Sequence, residues 1–514
     1  MMAARDTRVP NTPLLGEILP AGLLPAGLER LPVSDLIQDS RQARPGCAFV
    51  ALPGTRGHGL AHAAEAAARG AGVVLWDEAP NPEMTLAVPQ VRVPGLRDRL
   101  PQMAQALYGA WPATDPVVAV TGTDGKTSVT HLIALALEHL GRPTGLMGTL
   151  GVGRPGHLVD TGHTTPGVID LQRHLAALTD AGCRAVTLEA SSHGLAQGRL
   201  AGAPIRVAVL THLSSDHLDF HGTREAYAAA KARLFAWPGL QDAVLNLDDP
   251  FGRRMLADLP PGVRALTYSA DGRPEADLRA HGIEATPAGL RFVLETGDQS
   301  RLVHSPLFGR FQVANLLATL ATLRTLGVDL DAAVAAMAQL SGVPGRMERF
   351  PQASGALAVV DYAHTAEALA SALKALRAHT RGRLSVVFGC GGERDRGKRP
   401  AMGAAACRGA DVVFVTDDNP RGEDPAAIRA EILAGCADAA ECHEIGDRAT
   451  AIASALAEAG AGDVVLIAGK GHETTQEIHG VRYPFSDREQ VGAGVGLQPA
   501  GAQTAAALKG MGET

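Results

Sequence analysis

The apolar positions of this chain fall into two alternating rhythms. Short continuous runs at 47–52, 73–76, 117–120, 185–189, 207–211, 358–361, 384–388, 412–416 and 464–468 read as buried strands. Between them lie longer stretches of helical period. Val129, Leu132, Ile133, Ala136, Leu137 and Leu140 repeat every 3.6 residues, with Gly141 suited to a C-cap and Pro143 blocking continuation. Further helices are expected over 61–68, 168–181, 227–235 and from about 309 to 327. Strands alternating with helices predict an α/β protein with parallel sheets.

Breaks in this pattern divide the chain. Residues 1–112 form a small α/β unit, 113–341 a central parallel-sheet unit opened by a glycine turn, and 342–497 a doubly wound unit of Rossmann type. The linker is Ser341-Gly342-Val343-Pro344-Gly345-Arg346. The last residues, 498–514, are a Gly/Ala-rich tail expected to fray. Three units agree with the 514-residue length at about 150 residues per domain.

Composition narrows the function by exclusion. A net charge of −7 lacks the basic face that nucleic acid requires. No apolar run reaches the roughly 18 residues of a membrane span, and no secretory leader is visible. The six cysteines show no CxxC spacing, as expected of reduced thiols in a cytoplasmic protein.

The chemistry gathers at strand ends. After the run 117–120 comes Thr121-Gly122-Thr123-Asp124-Gly125-Lys126-Thr127-Ser128 and then a helix. Backbone N–H groups and the helix dipole there favour an anion, Lys126 adds charge for β- and γ-phosphates, and Thr127 can bind Mg2+. The usual phosphate loop has four residues between its glycines; Gly122 and Gly125 are separated by two. Glu189 ends a strand, a common Mg2+ position, although a capping or surface role is the plainer alternative. Asp216, His217, Asp219 and His221 are possible metal ligands in six residues. The i,i+4 histidines raise zinc, but the turn residues around Gly222 break any helix, which favours Mg2+ or a second-sphere role. In the third unit, four strand ends carry Asp361-Tyr362-Ala363-His364, Gly389 to Asp395, Asp417-Asp418-Asn419-Pro420-Arg421 and Gly469-Lys470-Gly471-His472-Glu473. Ligands bind at such carboxyl ends.

Taken in order, Thr164-Thr165-Pro166, Glu189-Ala190-Ser191-Ser192-His193, Asp216-His217-Leu218-Asp219, Ala230-Lys231-Ala232, Gly345-Arg346-Met347-Glu348 and the Asp361 and Asp417 strings resemble the Mur ligases of bacterial cell-wall synthesis. The resemblance covers nearly the whole chain and is nearest to the branch that adds the third residue of the stem peptide. It implies an ATP-dependent amide ligase acting on UDP-MurNAc-L-Ala-D-Glu and a diamino acid through an acyl phosphate, with Mg2+, as a cytoplasmic monomer. ATP would meet residues 122–128, Asn315, Arg346 and Asp361. Metal would meet Thr127, Glu189, His217 and a carbamylated Lys231; Lys126, Lys231 and His217 would be catalytic. UDP-MurNAc-dipeptide would meet Gln38, Ser40, Thr55, Arg56, Gly57, His163, Thr164, Thr165, Ser191, Gln197 and Arg199.

The amino-acid site would be Arg394, Asp418, Asn419, Pro420, Arg421, Gly469 and Glu473. The string 418–421 resembles the meso-diaminopimelate version, whose second carboxylate suits an arginine fork. Glu473 could accept the distal ammonium. L-lysine or L-ornithine remains the alternative third residue, and a folylpolyglutamate synthase-like ligase or a non-ligating ATP switch the rival readings. The chain departs from the family pattern at Asp124, Gln312 and Ala366, and at His163.

Overall fold

The computed structural model describes residues 12–54, 57–78, 85–214, 216–436 and 441–493. The expected tail, 498–514, lies outside them, as do Thr55 and Arg56.

The first unit is a four-stranded parallel sheet in sequential order, Asp35–Ile37, Cys47–Ala51, Val73–Trp76 and Gln90–Arg92. Every residue of Cys47–Ala51 is buried, because helices and turns cover both sheet faces. Arg173, from the central unit's helix Val168–Asp180, clamps the first unit in place. It donates to Asp35 Oδ1 at 2.9 Å and to the Leu36 carbonyl at 2.8 Å.

The central unit holds an eleven-stranded sheet. Its body is parallel, as the pattern predicts, with Val117–Thr121 between Ile205–Leu210 and Ala185–Glu189. Both edges differ from the expected all-parallel sheet. Leu278–Thr286, Gly289–Thr296 and Gln299–Ser305 form an antiparallel meander, and Gly151–Arg154 and His157–Val159 a second antiparallel edge. Each of these strands is joined by a tight turn, and a turn that short can only reverse the chain. The two buried layers on either side of the sheet consist mostly of Val, Leu and Ala.

The third unit is a six-stranded sheet in the spatial order 348–351, 357–361, 464–468, 384–388, 412–415, 441–444, parallel except for its first edge. The last long strand in sequence is inserted between the first two parallel ones. The ends carrying Asp361, Gly469, Gly389 and Thr416 therefore lie side by side. Arg349 holds this unit to the central one by donating to the Ala288 and Pro306 carbonyls at 3.1 and 2.6 Å. His379 bridges the same seam, accepting from the Gly309 N–H at 3.0 Å and stacking on Phe308.

Candidate active site

The strand Val117–Thr121 delivers the glycine turn into the seam between the central and third units, and the helix Lys126–His139 leads away from it. Both glycines are required by geometry. Gly122 has φ +151°, and a Cβ there would stand 1.8 Å from Thr211 Oγ1. Gly125 is left-handed at φ +80°, and a Cβ would meet Asn315 Oδ1 at 3.0 Å. Thr211 ties the loop to the neighbouring strand, donating to the Asp124 carbonyl at 2.6 Å.

Around the loop is a cavity of about 630 Å3, lined from two units. Its central-unit wall includes 123–128, Thr149, His163, Thr164, Thr165, Glu189, Ser191, Arg199, His217 and Lys231; Arg346 and Asp361 come from the third. Glu189 is almost fully buried. It accepts from the Thr127 hydroxyl at 3.0 Å and the Thr149 N–H at 2.8 Å, and burial pushes its carboxyl up. A buried carboxylate with only neutral donors leaves room for a cation, and its oxygens with the Thr127 hydroxyl are the hard donors Mg2+ takes.

Two lysines point at the same turn. Lys126 Nζ donates to the Gly122 and Thr123 carbonyls at 2.9 and 2.7 Å, and burial pushes its ammonium down. Lys231, from the helix Arg224–Ala232, also donates to the Gly122 carbonyl, at 2.7 Å. Burial, aided by the Lys126 charge, pushes Lys231 down to about 7. Among the described residues, no acidic side chain bonds either ammonium.

The sequence motifs beside them converge in part. Thr165 donates to the Glu189 carbonyl at 2.7 Å and lies 2.9 Å from the Ser191 hydroxyl, which caps the helix Ser192–Ala196. Arg199 donates to the Thr165 carbonyl at 3.2 Å and to Gln197 at 2.8 Å; Gln197 itself does not line the cavity. Asn315 donates to Gln312 at 2.8 Å and reaches the loop from behind. Asp361 accepts from the Met347 and Ala363 N–H groups at 2.8 and 2.9 Å, so it braces the linker as well as lining the cavity.

His217 sits at φ +51°, starting a single helical turn, Leu218–His221, that ends on Gly222. The turn exists despite the breaking residues, but it is too short to bring ligands together. Among the described residues, no three of the possible ligands in 216–221 converge. His193 packs instead between His217 and His221, at centroid distances of 4.7 and 5.6 Å. Asp124 faces His212 at 3.4 Å, which holds its carboxyl low.

The amino-acid string forms a separate cluster at the third sheet's strand ends. Lys470, fully buried, donates to Asn419 Oδ1 at 3.1 Å and Glu473 Oε2 at 2.9 Å; Asn419 donates to Glu473 at 3.0 Å. Asp418 lies against Gly469, where a Cβ would meet its carboxylate at 2.9 Å. Arg421, left-handed at φ +52°, donates to the Gly392 carbonyl at 2.6 Å. Pro420 follows the same turn, and Arg394 stands exposed beside it. Stacked side chains join this cluster to the cavity. The Arg346 guanidinium lies 4.6 Å over the Tyr362 ring, which is 5.4 Å from His472.

In the first unit, Ser40 donates to Glu65 at 2.7 Å, and Gln38 and Gly57 are exposed; none lines the central cavity. Among others, sequence reasoning missed Thr149, Thr211, Lys470 and Tyr227, whose hydroxyl lies 3.0 Å from that of Thr123. Only Lys470 carried a signal, lying inside a quoted strand-end string.

Comparison with known proteins accounts for this arrangement. Residues 34–108 match a Mur ligase family, catalytic domain; 120–323 a Mur ligase middle domain; and 345–471 a Mur ligase, glutamate ligase domain. The UDP-N-acetylmuramoyl-L-alanyl-D-glutamate–2,6-diaminopimelate ligase of Alkalilimnicola ehrlichii is 50% identical over 469 residues, 90% of this chain and 94% of that protein. The protein of that name from Pseudomonas aeruginosa is 48% identical, covering 91% of this chain and 96% of its own. A solved structure of a ligase bearing the same name has a TM-score of 0.70 at 40% identity, covering 94% of this chain and 99% of that one. With three family domains matched in order and such identity along nearly its whole length, the chain belongs to the Mur ligase family.

Proposed function

We propose that this chain is an ATP-dependent ligase that joins meso-diaminopimelate to the D-glutamyl carboxylate of UDP-MurNAc-L-Ala-D-Glu. The observation that carries the reading is the two-unit cavity, with a phosphate turn and two carbonyl-bonded lysines on one side and Arg346 on the other. The relatives' names supply the substrates.

A carboxylate is a poor electrophile at neutral pH. Transfer of the γ-phosphoryl group from ATP gives an acyl phosphate, the amine attacks, and phosphate leaves with ADP formed in the first step. Catalysis is then positioning and charge stabilisation. Lys126 can swing from the loop carbonyls to the β- and γ-phosphates, and Arg346 balances charge from the facing unit. Asn315 and Asp361 border the nucleotide, Asn315 from behind the turn. Ser191, Thr164, Thr165, His163, Gln197 and Arg199 orient the dipeptide, while Gln38, Ser40 and the 55–57 turn take the uridine end. Arg394, Asp418, Asn419, Pro420, Arg421, Gly469 and Glu473 take the diamino acid.

Thr127 and Glu189 would hold Mg2+, with His217 near a second ion; bound Mg2+ supplies neutralisation of phosphate charge. Lys231 as an ammonium does not suit a cation. An amine held near 7 is about half free at neutral pH, against almost none for an ordinary lysine, and its addition to CO2, with loss of one proton, yields a carbamate oxygen that does. The chain acts as a cytoplasmic monomer.

Phosphate release tests the reading. It should require both UDP-MurNAc-L-Ala-D-Glu and diaminopimelate, and should exceed release with L-lysine or L-ornithine. ATP hydrolysis indifferent to the nucleotide dipeptide would overturn it.

A further inference from the structure

Outside the cleft, three of the third unit's four cysteines meet. Cys407 comes from the helix Lys398–Gly409, Cys436 follows the helix Pro425–Leu433, and Cys442 lies on the edge strand Glu441–Glu444. Their Sγ atoms all lie within 4.8 Å of one another, and none is in a disulfide.

Close helix packing creates this meeting point. A Cβ on Gly403 would stand 2.1 Å from the Ile432 carbonyl and 3.2 Å from Cys436 Sγ. A Cβ on Gly435 would stand 1.9 Å from the Pro400 carbonyl. Glycine at both crossings lets the two helices touch backbone to backbone, which lowers Cys436 onto Cys407. The edge strand closes the third side. Cys407 is buried, Cys436 half-buried and Cys442 exposed, so the cluster is anchored inside and open to solvent at one corner.

We propose that Cys407, Cys436 and Cys442 form a binding site for a soft divalent cation of the zinc–cadmium class. Three thiolates from three separate elements match the donor preference of such ions, and the open corner leaves a fourth position for water. A tetrahedral ion about 2.3 Å from each sulfur sets the sulfurs about 3.8 Å apart, so a contraction of about 1 Å or less completes the site. Each thiol releases its proton to solvent as its metal–sulfur bond forms, so binding strengthens with rising pH. The ion would pin the far ends of the two helices that lead away from the Gly391–Gly392 and Asn419–Arg421 turns. It would stabilise the third unit without touching the reacting atoms.

The test is titration of the reduced full-length chain with Cd2+, followed by thiolate-to-metal charge-transfer absorption, which carboxylate and phosphate-loop sites do not produce. The expected result is one equivalent bound per chain, competed only by Zn2+ in excess because thiolates favour the softer ion, with a melting temperature raised by several degrees. Cys442→Ser, at the exposed corner, should weaken the band and the stabilisation at least tenfold in apparent affinity. Cys407→Ala with Cys442→Ser should remove both and leave ligase turnover unchanged. Absence of the band in the parent chain, or an undiminished band in the double variant, would overturn the proposal. A variant that melts at the parent's metal-free temperature shows that loss of the band is not loss of fold.

Discussion

The glycine turn of the central unit and the Lys470–Asn419–Glu473 cluster of the third are built on the same plan, polar residues at the carboxyl ends of parallel strands, yet they keep their charges differently. At the turn, Lys126 and Lys231 hydrogen-bond to backbone carbonyls and, among the described residues, to no carboxylate, and burial pushes both ammoniums down. In the cluster, Lys470, Asn419 and Glu473 satisfy one another, and Arg421 is held on the Gly392 carbonyl. A cation leaning on carbonyls can be taken over by an anionic phosphate at little cost. A closed side-chain network must be opened, and only a ligand replacing its bonds with comparable ones can do so, which makes it selective. In the function proposed above, the turn would take the common phosphate donor and the cluster would discriminate among amino acids.

The sharpest way to break this contrast is to remove the turn's lysines. Lys126→Ala and Lys231→Ala should each reduce phosphate release to background. Short carboxylic acids should partly rescue only Lys231→Ala, because they replace a carbamate oxygen and not an ammonium. Full activity of Lys231→Ala would remove its role. Next in size, Arg421→Ala should lower the preference for diaminopimelate over L-lysine by about 2–5 kcal/mol, measured by competition, through loss of a charge partner. Equal preference in the parent chain would discard the fork argument. Third, Lys470→Met should cost about 1–3 kcal/mol in denaturant unfolding, because Asn419 and Glu473 each lose a buried partner.

The pH dependence should separate the two regions further. With Lys231 held near 7, acid converts its amine to the ammonium, which cannot take up CO2. Turnover should therefore fall below about pH 7, and added bicarbonate should restore part of it at a fixed pH. A profile flat through that range and blind to bicarbonate would count against the carbamate. The smallest effect is expected at Asp124, which departs from the family pattern but sits in an exposed pair with His212. Asp124→Asn should change KM for ATP by about fivefold or less, since such pairs are worth about 0–1 kcal/mol.

Much of the fold was legible because the pattern of burial is local. Runs such as 384–388 and 464–468 are buried on both faces of a parallel sheet, so nearly every residue is apolar, and their strands appear where expected. The antiparallel meander over 278–305 escaped notice because its strands are half-exposed and carry charges such as Arg279, Glu284 and Arg291 among the apolar residues. The glycine turn and the helix that follows it could be read from Gly122, Gly125 and Lys126 alone, because turn, helix start and charge lie within five residues.

Sequence by itself therefore determined the strand–turn–helix units, the glycine turn before Lys126 and the side-chain types offered at each strand end, all properties of contiguous residues. Only the tertiary structure decided which ends stand together: Glu189 and Thr211 flank the turn because strand 117–121 is inserted between 185–189 and 205–210. It also decided that Lys231 loses its water and drops to about 7, and that three cysteines from separate elements meet. Desolvation and proximity depend on strand order and helix crossings, which are set by packing across hundreds of residues and leave no mark in any short stretch of chain.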